Sequence, residues 1–236
     1  MIIFFIIAGI LAVFILSVLF YYNKPFPEAQ EIAEEMEVVD GDYWFYGGSK
    51  VGFLIFTGAQ TDERAYAYIA KLLHGEDHTV VIPKQPFQMS AFGTKHGLEI
   101  VESHLEIEKW ILVGHSLGGL PVSRIAVAMP DKIIGVAYLA TYASADLSGL
   151  DISAIRITAQ NDGIMNNDRM AGFNNNLPEH SATIMLEGAN HQGFAAYDSL
   201  SNRDGEAAIS WKEQNELSAR YILDFFGEQI SEVASD

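Results

Sequence analysis

The chain has 236 residues, which is enough for one large domain with a sizeable hydrophobic core. It contains no cysteine, and this excludes disulfide bonds and thiolate chemistry. Its 31 acidic and 14 basic residues give a formal net charge of −17, and such an acidic surface repels phosphate backbones and argues against nucleic acid as a partner.

The first element is an uncharged apolar stretch, Ile2–Tyr22, with the sequence IIFFIIAGILAVFILSVLFYY. At a rise of 1.5 Å per residue, a helix of this length reaches about 30 Å, the thickness of the bilayer hydrocarbon core. The stretch is longer than a usual signal-peptide core, and it lacks both a basic n-region and an A-x-A-like cleavage site. We therefore predict a single-pass transmembrane anchor over residues 2–22, with a cleaved signal peptide as the alternative.

The next stretch, residues 23–35, contains two prolines and several glutamates. Prolines and charged residues of this kind are typical of an exposed linker, with a helical turn as a further expectation. One domain follows, over residues 36–236. Few basic residues flank the anchor, so the positive-inside rule decides little. The signal-like position of the apolar run and the absence of cysteine favour an extracytoplasmic catalytic domain.

The domain opens with the sequence YWFYGGSKVGFLIFTG, which predicts a β-hairpin. Its turn is expected at residues 47–49, and its second strand at Val51–Phe56. The stretch TDERAYAYIAKLLHG then predicts a helix, because Thr61 or Asp62 can cap its start and Gly75 can end it.

Apolar strands and amphipathic helices alternate through the rest of the chain. The predicted strands lie in HTVVIP, KWILVG, KIIGVAYLA, ISAIRITA and SATIMLEG. The predicted helices lie in GLEIVESHLEI, LPVSRIAVAM and a last long helix that starts at Ser210, where Glu213 completes a capping box. Strands that are apolar throughout predict an α/β fold, with a mostly parallel central sheet and helices on both faces.

The pattern G-x-S-x-G occurs between a predicted strand and a predicted helix, as Gly114-His115-Ser116-Leu117-Gly118. This setting is what a nucleophile elbow requires. Glycines on both sides allow a sharp turn that exposes the serine hydroxyl, and the helix N-terminus behind it favours a developing oxyanion. The pattern predicts Ser116 as a nucleophile, and an inert glycine-rich turn is the alternative.

A serine nucleophile needs a base and an acid that orients the base. In this strand-and-helix order both are expected after the serine. Of the two later histidines, His191 follows a predicted strand and His180 precedes it, so the position selects His191. The acid is expected to be Asp162, which directly follows a strand in AQNDGIMN, with Asp146 and Asp151 as competitors.

Two backbone N–H groups are expected to form the oxyanion hole. The first belongs to Leu117, the residue after the nucleophile. The second is expected in the loop TGAQTDE after the strand Val51–Phe56, where Gly58 permits close approach and Ala59 is the best donor. Gln60 is its neighbouring alternative.

These motifs, taken in order, resemble those of the α/β-hydrolase superfamily, most of all its compact bacterial members related to dienelactone hydrolase. The resemblance covers roughly Val51–Phe226 and is carried by FTGAQ, VIPKQPF, VGHSLGG, AQNDGIMN and GANHQGF. It implies a sheet of the eight-stranded type and a triad of Ser116, Asp162 and His191. Dienelactone hydrolase itself uses a cysteine nucleophile, which this chain lacks, so its substrate does not carry over.

The predicted function is that of a serine hydrolase that cleaves small or medium acyl esters through an acyl-enzyme, with no metal and no cofactor. The segment between the strands at 132–140 and 152–159 is short, so we expect an open site with little lid and a small acyl substrate that arrives from water. The membrane is expected as a partner only through the anchor. A lipase or lysophospholipase and a non-catalytic hydrolase-like binding module are the alternatives.

Overall fold

The computed structural model describes residue 9 and residues 22–75, 77–165, 170–199 and 202–235. The strands in these ranges are β1 Lys24–Pro25, β2 Glu37–Val39, β3 Asp42–Phe45, β4 Val51–Phe56, β5 Thr79–Ile82, β6 Lys109–His115, β7 Ile133–Leu139, β8 Ser153–Ala159, β9 His180–Leu186 and β10 Tyr197–Asp198. The α-helices there are α1 Pro27–Ala33, α2 Ala67–His74, α3 Thr94–Ser103, α4 Gly119–Ala128 and α5 Trp211–Ser235.

Eight of these strands form one sheet in the order β2-β3-β5-β4-β6-β7-β8-β9. Every pair from β5 through β9 is parallel, and the pairs β2·β3 and β3·β5 are antiparallel. The predicted α/β fold with a mostly parallel central sheet is confirmed. The carboxyl ends of β4, β6, β8 and β9 meet at one edge of this sheet, which brings the loops after them together.

Helices cover both faces of the sheet, as the apolar strands predict. In β4, Phe53 and Ile55 point into a core cluster that includes residues of α1, α2 and α5. Leu54 and Phe56 point into the opposite cluster, with residues of α3 and α4. Successive side chains of a strand alternate between faces, so a strand that is apolar at every position needs a helix layer on each side.

The predicted hairpin of β3 with β4 is wrong. Strand β3 pairs with β2 and β5, and β5 lies between β3 and β4. The residues expected to form the hairpin turn instead contact the chain just before β5: the N–H of Ser49 donates to the carbonyl of Asp77 at 3.0 Å, and the N–H of Gly47 donates to Thr79 Oγ1 at 3.0 Å. This segment therefore crosses the end of β5 rather than reversing within a ribbon.

The predicted anchor, residues 2–22, lies outside the described residues except for Gly9 and Tyr22. Within the described ranges, no helix combines the length and the apolar character that crossing a bilayer requires. Residues 23–35, expected as an exposed linker, instead contain β1 and α1. Strand β1 pairs with β10, and Ala29 and Ala33 of α1 are buried. The prolines that suggested a linker serve here as the end of β1 and the first residue of α1.

Candidate active site

Ser116 stands at a sharp turn between β6 and α4. Strand β6 ends at His115, a single 3₁₀ turn spans Ser116–Gly118, and α4 begins at Gly119. The backbone of Ser116 has φ of +52°, in the left-handed region that residues with a side chain rarely adopt. Such a conformation costs about 1–3 kcal/mol and persists only where the surrounding structure enforces it.

The glycines on both sides of Ser116 make this turn sterically possible. A Cβ at Gly114 would lie 2.6 Å from the carbonyl oxygen of Gly118, and a Cβ at Gly118 would collide with the carbonyl of Phe56 at the end of β4. The elbow is thus packed against the neighbouring strand with no space for side chains at these two positions. The predicted role of Gly114 and Gly118 agrees with this geometry.

His191 and Asp162 form a hydrogen-bonded pair at the same edge of the sheet. Asp162 follows β8 and His191 follows β9, and His191 Nδ1 lies 2.9 Å from Asp162 Oδ2. Both side chains are almost fully buried, at 6% and 0% exposure. The other carboxylate oxygen of Asp162 accepts from the N–H groups of Ile164 at 2.8 Å and Met165 at 2.7 Å. The carboxylate is therefore fixed with one oxygen aimed at the imidazole.

The competing acids lie elsewhere. Asp146 is exposed, and its carboxylate accepts hydrogen bonds from the hydroxyl of Ser148 at 2.7 Å and from its N–H at 3.0 Å. These hydrogen bonds lower the pKa of Asp146. Asp151 is also exposed. Of the three carboxylates considered from the sequence, Asp162 is the one that the fold brings to His191.

Asp204 links the two loops that carry this pair. It accepts hydrogen bonds from the N–H groups of Gly163 at 3.0 Å, His191 at 3.2 Å and Gln192 at 2.8 Å. One carboxylate thus binds both the loop after β8 and the loop after β9. Asp204 could not be predicted from the sequence, because it lies outside any motif and its partners belong to two separate loops.

His115 is buried beneath the elbow in a chain of hydrogen bonds. Its Nε2 lies 3.1 Å from the carbonyl oxygen of His191 and its Nδ1 lies 2.6 Å from the hydroxyl of Tyr66. A carbonyl only accepts, so Nε2 carries the proton and the Tyr66 hydroxyl donates to Nδ1. The Tyr66 oxygen in turn accepts from the N–H of Gly58 at 2.7 Å. Burial, and secondarily the nearby His191, holds the pKa of His115 well below its usual value, so this imidazole is neutral.

The loop after β4, where the second oxyanion donor is expected, lines the same cavity as Ser116. The N–H of Gly58 is used by Tyr66, and the N–H of Gln60 donates to the carbonyl of Gln88 at 2.7 Å. Among the described residues, no acceptor lies at the N–H of Ala59, the residue between them. Ala59 and Leu117 line the same cavity as Ser116. The two predicted oxyanion donors therefore both lie beside the serine.

Two adjoining cavities meet at Ser116 and Ala59. The larger, about 370 Å³, is lined mainly by apolar side chains, namely Leu117, Leu120, Tyr142 and Met165, with Thr141 and Ser144 as polar members. The smaller, about 140 Å³, contains Ser116, His191, His115 and Asn23 in its wall. The site thus joins an apolar chamber to a smaller cavity, the mouth of the site, whose wall contains both the serine and the histidine.

Comparison with known proteins agrees with the fold described above. A family model described as "Alpha/beta hydrolase family" matches residues 52–216. The crystal structure of a Paleococcus ferrophilus monoacylglycerol lipase is similar, with a TM-score of 0.60 at 17% identity, and the match covers 80% of this chain and 100% of that one. No sequence among the curated proteins compared matches this chain.

Two further solved structures have the same fold. Est1E from Butyrivibrio proteoclasticus matches with a TM-score of 0.58 at 11% identity, over 81% of this chain and 98% of that one. A predicted CIB-like hydrolase from Thermoplasma acidophilum matches with a TM-score of 0.57 at 15% identity, over 81% and 95%. At such identities the likeness is one of fold.

Proposed function

The chain belongs to the alpha/beta hydrolase family, and we propose that it is a serine hydrolase that cleaves small or medium acyl esters with Ser116 as nucleophile, His191 as base and Asp162 as orienting acid. The observation that carries the proposal is the 2.9 Å hydrogen bond between His191 Nδ1 and Asp162 Oδ2, in a histidine that shares a cavity wall with Ser116. The resemblance to dienelactone hydrolases contributes only the order of the motifs to this proposal, and it contributes no substrate.

The hydrogen bond to Asp162 decides which nitrogen of His191 is the base. An ionised carboxylate only accepts, so Nδ1 carries the proton and Nε2 has a free lone pair. Nε2 takes the proton as Ser116 Oγ bonds to the ester carbonyl carbon, and the carbonyl π electrons move onto the oxygen. When the C–O bond to the alcohol breaks, Nε2 returns the proton to the leaving oxygen. Water then repeats the sequence on the acyl-enzyme and releases the acid.

The N–H groups of Leu117 and Ala59 are the donors for the oxyanion. Leu117 lies in the first turn after β6, where backbone N–H groups have no helical partner, and the positive end of the α4 dipole lies behind it. Losing one such donor typically lowers kcat by about 10²–10³-fold. The apolar chamber beside Leu117 and Leu120 is the place for the acyl chain, and its volume of about 370 Å³ suits a small or medium chain.

The uncharged run of residues 2–22 is the proposed single-pass membrane anchor, with the hydrolase domain on the extracytoplasmic side. Its support is the length and the apolar composition of the run. In this proposal the full chain pellets with membranes, resists carbonate extraction and keeps its N-terminal residues in cells.

The test of the serine mechanism is covalent labelling by a fluorophosphonate combined with turnover of a soluble short-chain ester. The unchanged chain takes up the label, and Ser116→Ala abolishes both labelling and nearly all turnover. Asp162→Asn keeps the serine but lowers kcat by about 10⁴-fold, since the imidazole loses its orientation.

Asp146→Asn is the matched control, because it makes the same change at an exposed carboxylate that does not contact His191. It keeps the turnover of the parent. A folded chain that neither binds the label nor hydrolyses any ester would instead indicate a non-catalytic binding module.

A further inference from the structure

The first residue after the apolar run lies beside the catalytic cleft. Asn23, one residue after the apolar run, lines the smaller cavity together with Ser116 and His191. Its N–H donates to the carbonyl of Gln60 at 2.7 Å, and its carbonyl accepts from the N–H of Asp62 at 3.1 Å. These contacts attach Asn23 to the loop that carries Ala59. The residue at which the apolar run ends is therefore adjacent to the mouth of the site.

Strand β1, which follows Asn23, attaches the start of the domain to a second segment beside the cleft. Strand β1 pairs with β10, with Lys24 opposite Asp198 and Pro25 opposite Tyr197. Strand β10 follows the loop of His191, and Tyr197 also lines the smaller cavity. Because one residue spans at most about 3.6 Å, the end of an anchor at Tyr22 cannot lie far from the mouth of the cleft.

Exposed apolar side chains stand at the same edge of the molecule. Phe87 and Phe92, in the loop after β5, are 54% and 63% exposed. This loop contacts the oxyanion loop, since the carbonyl of Gln88 accepts from Gln60. Ile164, 41% exposed, lines the smaller cavity itself. Three large apolar side chains thus project from loops at the edge of the sheet where the site lies, and moving them from water into a lipid phase is favourable.

We propose that the catalytic cleft opens onto the surface of the bilayer that residues 2–22 cross, and that its substrate is an acyl ester held in that bilayer. The inference rests on the proposed serine hydrolase and its anchor, and it replaces the expectation of a substrate arriving from water. The acidic chain, with a net charge of −17, fits a neutral or zwitterionic lipid surface rather than an anionic one. Phe87, Phe92 and Ile164 enter the interface, and the ester passes to Ser116 without crossing bulk water.

The experiment uses the full chain in phosphatidylcholine vesicles with two probes, a medium-chain monoacylglycerol in the bilayer and a short-chain ester in water. The double variant Phe87→Asn, Phe92→Ser removes the exposed rings. Asparagine suits residue 87, whose φ is +59°. We expect turnover of the bilayer ester to fall at least about tenfold, since each buried phenylalanine contributes more than that factor to partitioning. Turnover of the soluble ester stays unchanged and shows that the variant is folded.

Leu105→Ser is the matched control. Leu105 is 74% exposed but lies between α3 and the amino end of β6, at the opposite edge of the sheet. Its loss leaves both turnovers unchanged. A second variant inserts about twelve glycine and serine residues between Tyr22 and Asn23, a flexible spacer of roughly 20 Å. It lowers turnover of the bilayer ester and spares the soluble one.

The two hypotheses fail in different ways. If the unchanged chain hydrolyses the soluble ester but not the bilayer ester, or if both variants hydrolyse the bilayer ester as fast as the parent, the cleft does not face the membrane. If the unchanged chain hydrolyses neither ester and takes up no fluorophosphonate, the proposed hydrolase activity is wrong, and the inference falls with it.

Discussion

His115 connects three parts of the site without carrying a charge. Its imidazole accepts from Tyr66 and donates to the carbonyl of His191, while Tyr66 also binds the N–H of Gly58. The oxyanion loop, the elbow and the histidine loop thus share one hydrogen-bonded chain. Protonation of Nδ1 would replace its acceptor by a second donor and break the bond from Tyr66. The network requires the neutral imidazole, and burial lowers the pKa of His115 accordingly.

This lowered pKa predicts an acid-dependent loss of stability. Above a pH of about 6.5, His115 is neutral in both the folded and the unfolded chain. Below that pH, the unfolded chain binds a proton that the folded chain does not. The free energy of unfolding therefore decreases by up to about 1.4 kcal/mol for each unit by which the pH is lowered. His115→Gln removes this titration, so its free energy of unfolding changes less between pH 6.5 and 5.5, while the lost packing of the buried ring lowers its stability near neutral pH.

Denaturant unfolding at a series of pH values measures both slopes, using the chain that begins at Asn23. Glutamine keeps a donor and an acceptor and does not titrate, so the comparison separates charge from hydrogen bonding. Equal slopes for parent and variant would mean that His115 takes up a proton in the folded chain.

The order of Ser116, Asp162 and His191 could be predicted because each directly follows a strand, and the carboxyl ends of parallel strands meet at one edge. The contribution of Tyr66 could not. Tyr66 lies 49 positions before His115, in a stretch predicted only as a helix and outside every motif. Its hydroxyl becomes part of the site through packing of distant segments, and no local pattern records that.

At the scale of elements, one carboxylate links the loops after β8 and β9 beside the pair of Asp162 and His191. Asp204 binds the N–H groups of Gly163, His191 and Gln192, so it helps to fix the distance between the acid and the base. Asp204→Ala lets the two loops move apart. A displacement of about 1 Å at reacting groups can cost about 10²-fold in rate, so we expect kcat for the soluble ester to fall by about 10–100-fold with KM nearly unchanged.

Asp204→Asn provides a graded comparison. It keeps one carbonyl oxygen as acceptor and loses the other, so its kcat lies between those of the parent and the alanine variant. Asp198→Ala removes an exposed carboxylate on β10 and serves as the control with parental kinetics. An alanine variant at position 204 with a parental kcat would show that the packing of the two loops alone keeps the pair in register.

The bounds of the strands can be predicted from the sequence more closely than the order in which the strands pair. Apolar runs predict β4, β6, β7 and β8 almost to the residue, because burial on both faces leaves no other place for them. The pairing of β3 does not follow, because a glycine-rich segment between two apolar runs suits a hairpin equally well. The pairing of β3 depends on contacts of Gly47 and Ser49 with residues at and just before the start of β5, about thirty residues further along the chain.

At the scale of the whole molecule, α1 belongs to the domain although its sequence is typical of a linker. Ala29 and Ala33 are buried, and Ile32 packs against the same core cluster. The ring of Phe26 lies 5.9 Å from that of Trp211, and Glu28 pairs with Lys212 at 3.1 Å, so this segment also contacts α5. The prolines and glutamates therefore belong to a strand and a packed helix rather than to an exposed linker.

Two truncations test this assignment. A chain that begins at Asn23 keeps β1 and α1, and it is expected to fold, stay in solution and hydrolyse the soluble ester like the full chain. A chain that begins at Met36 exposes the core that α1 covers, at a cost of about 3 kcal/mol or more from the side chains of Ala29, Ile32 and Ala33. It also loses Asn23 and β1 beside the cleft. Thermal unfolding and ester turnover of the two chains separate these effects, and a chain from Met36 as stable and active as the chain from Asn23 would make residues 23–35 the linker that their composition suggests.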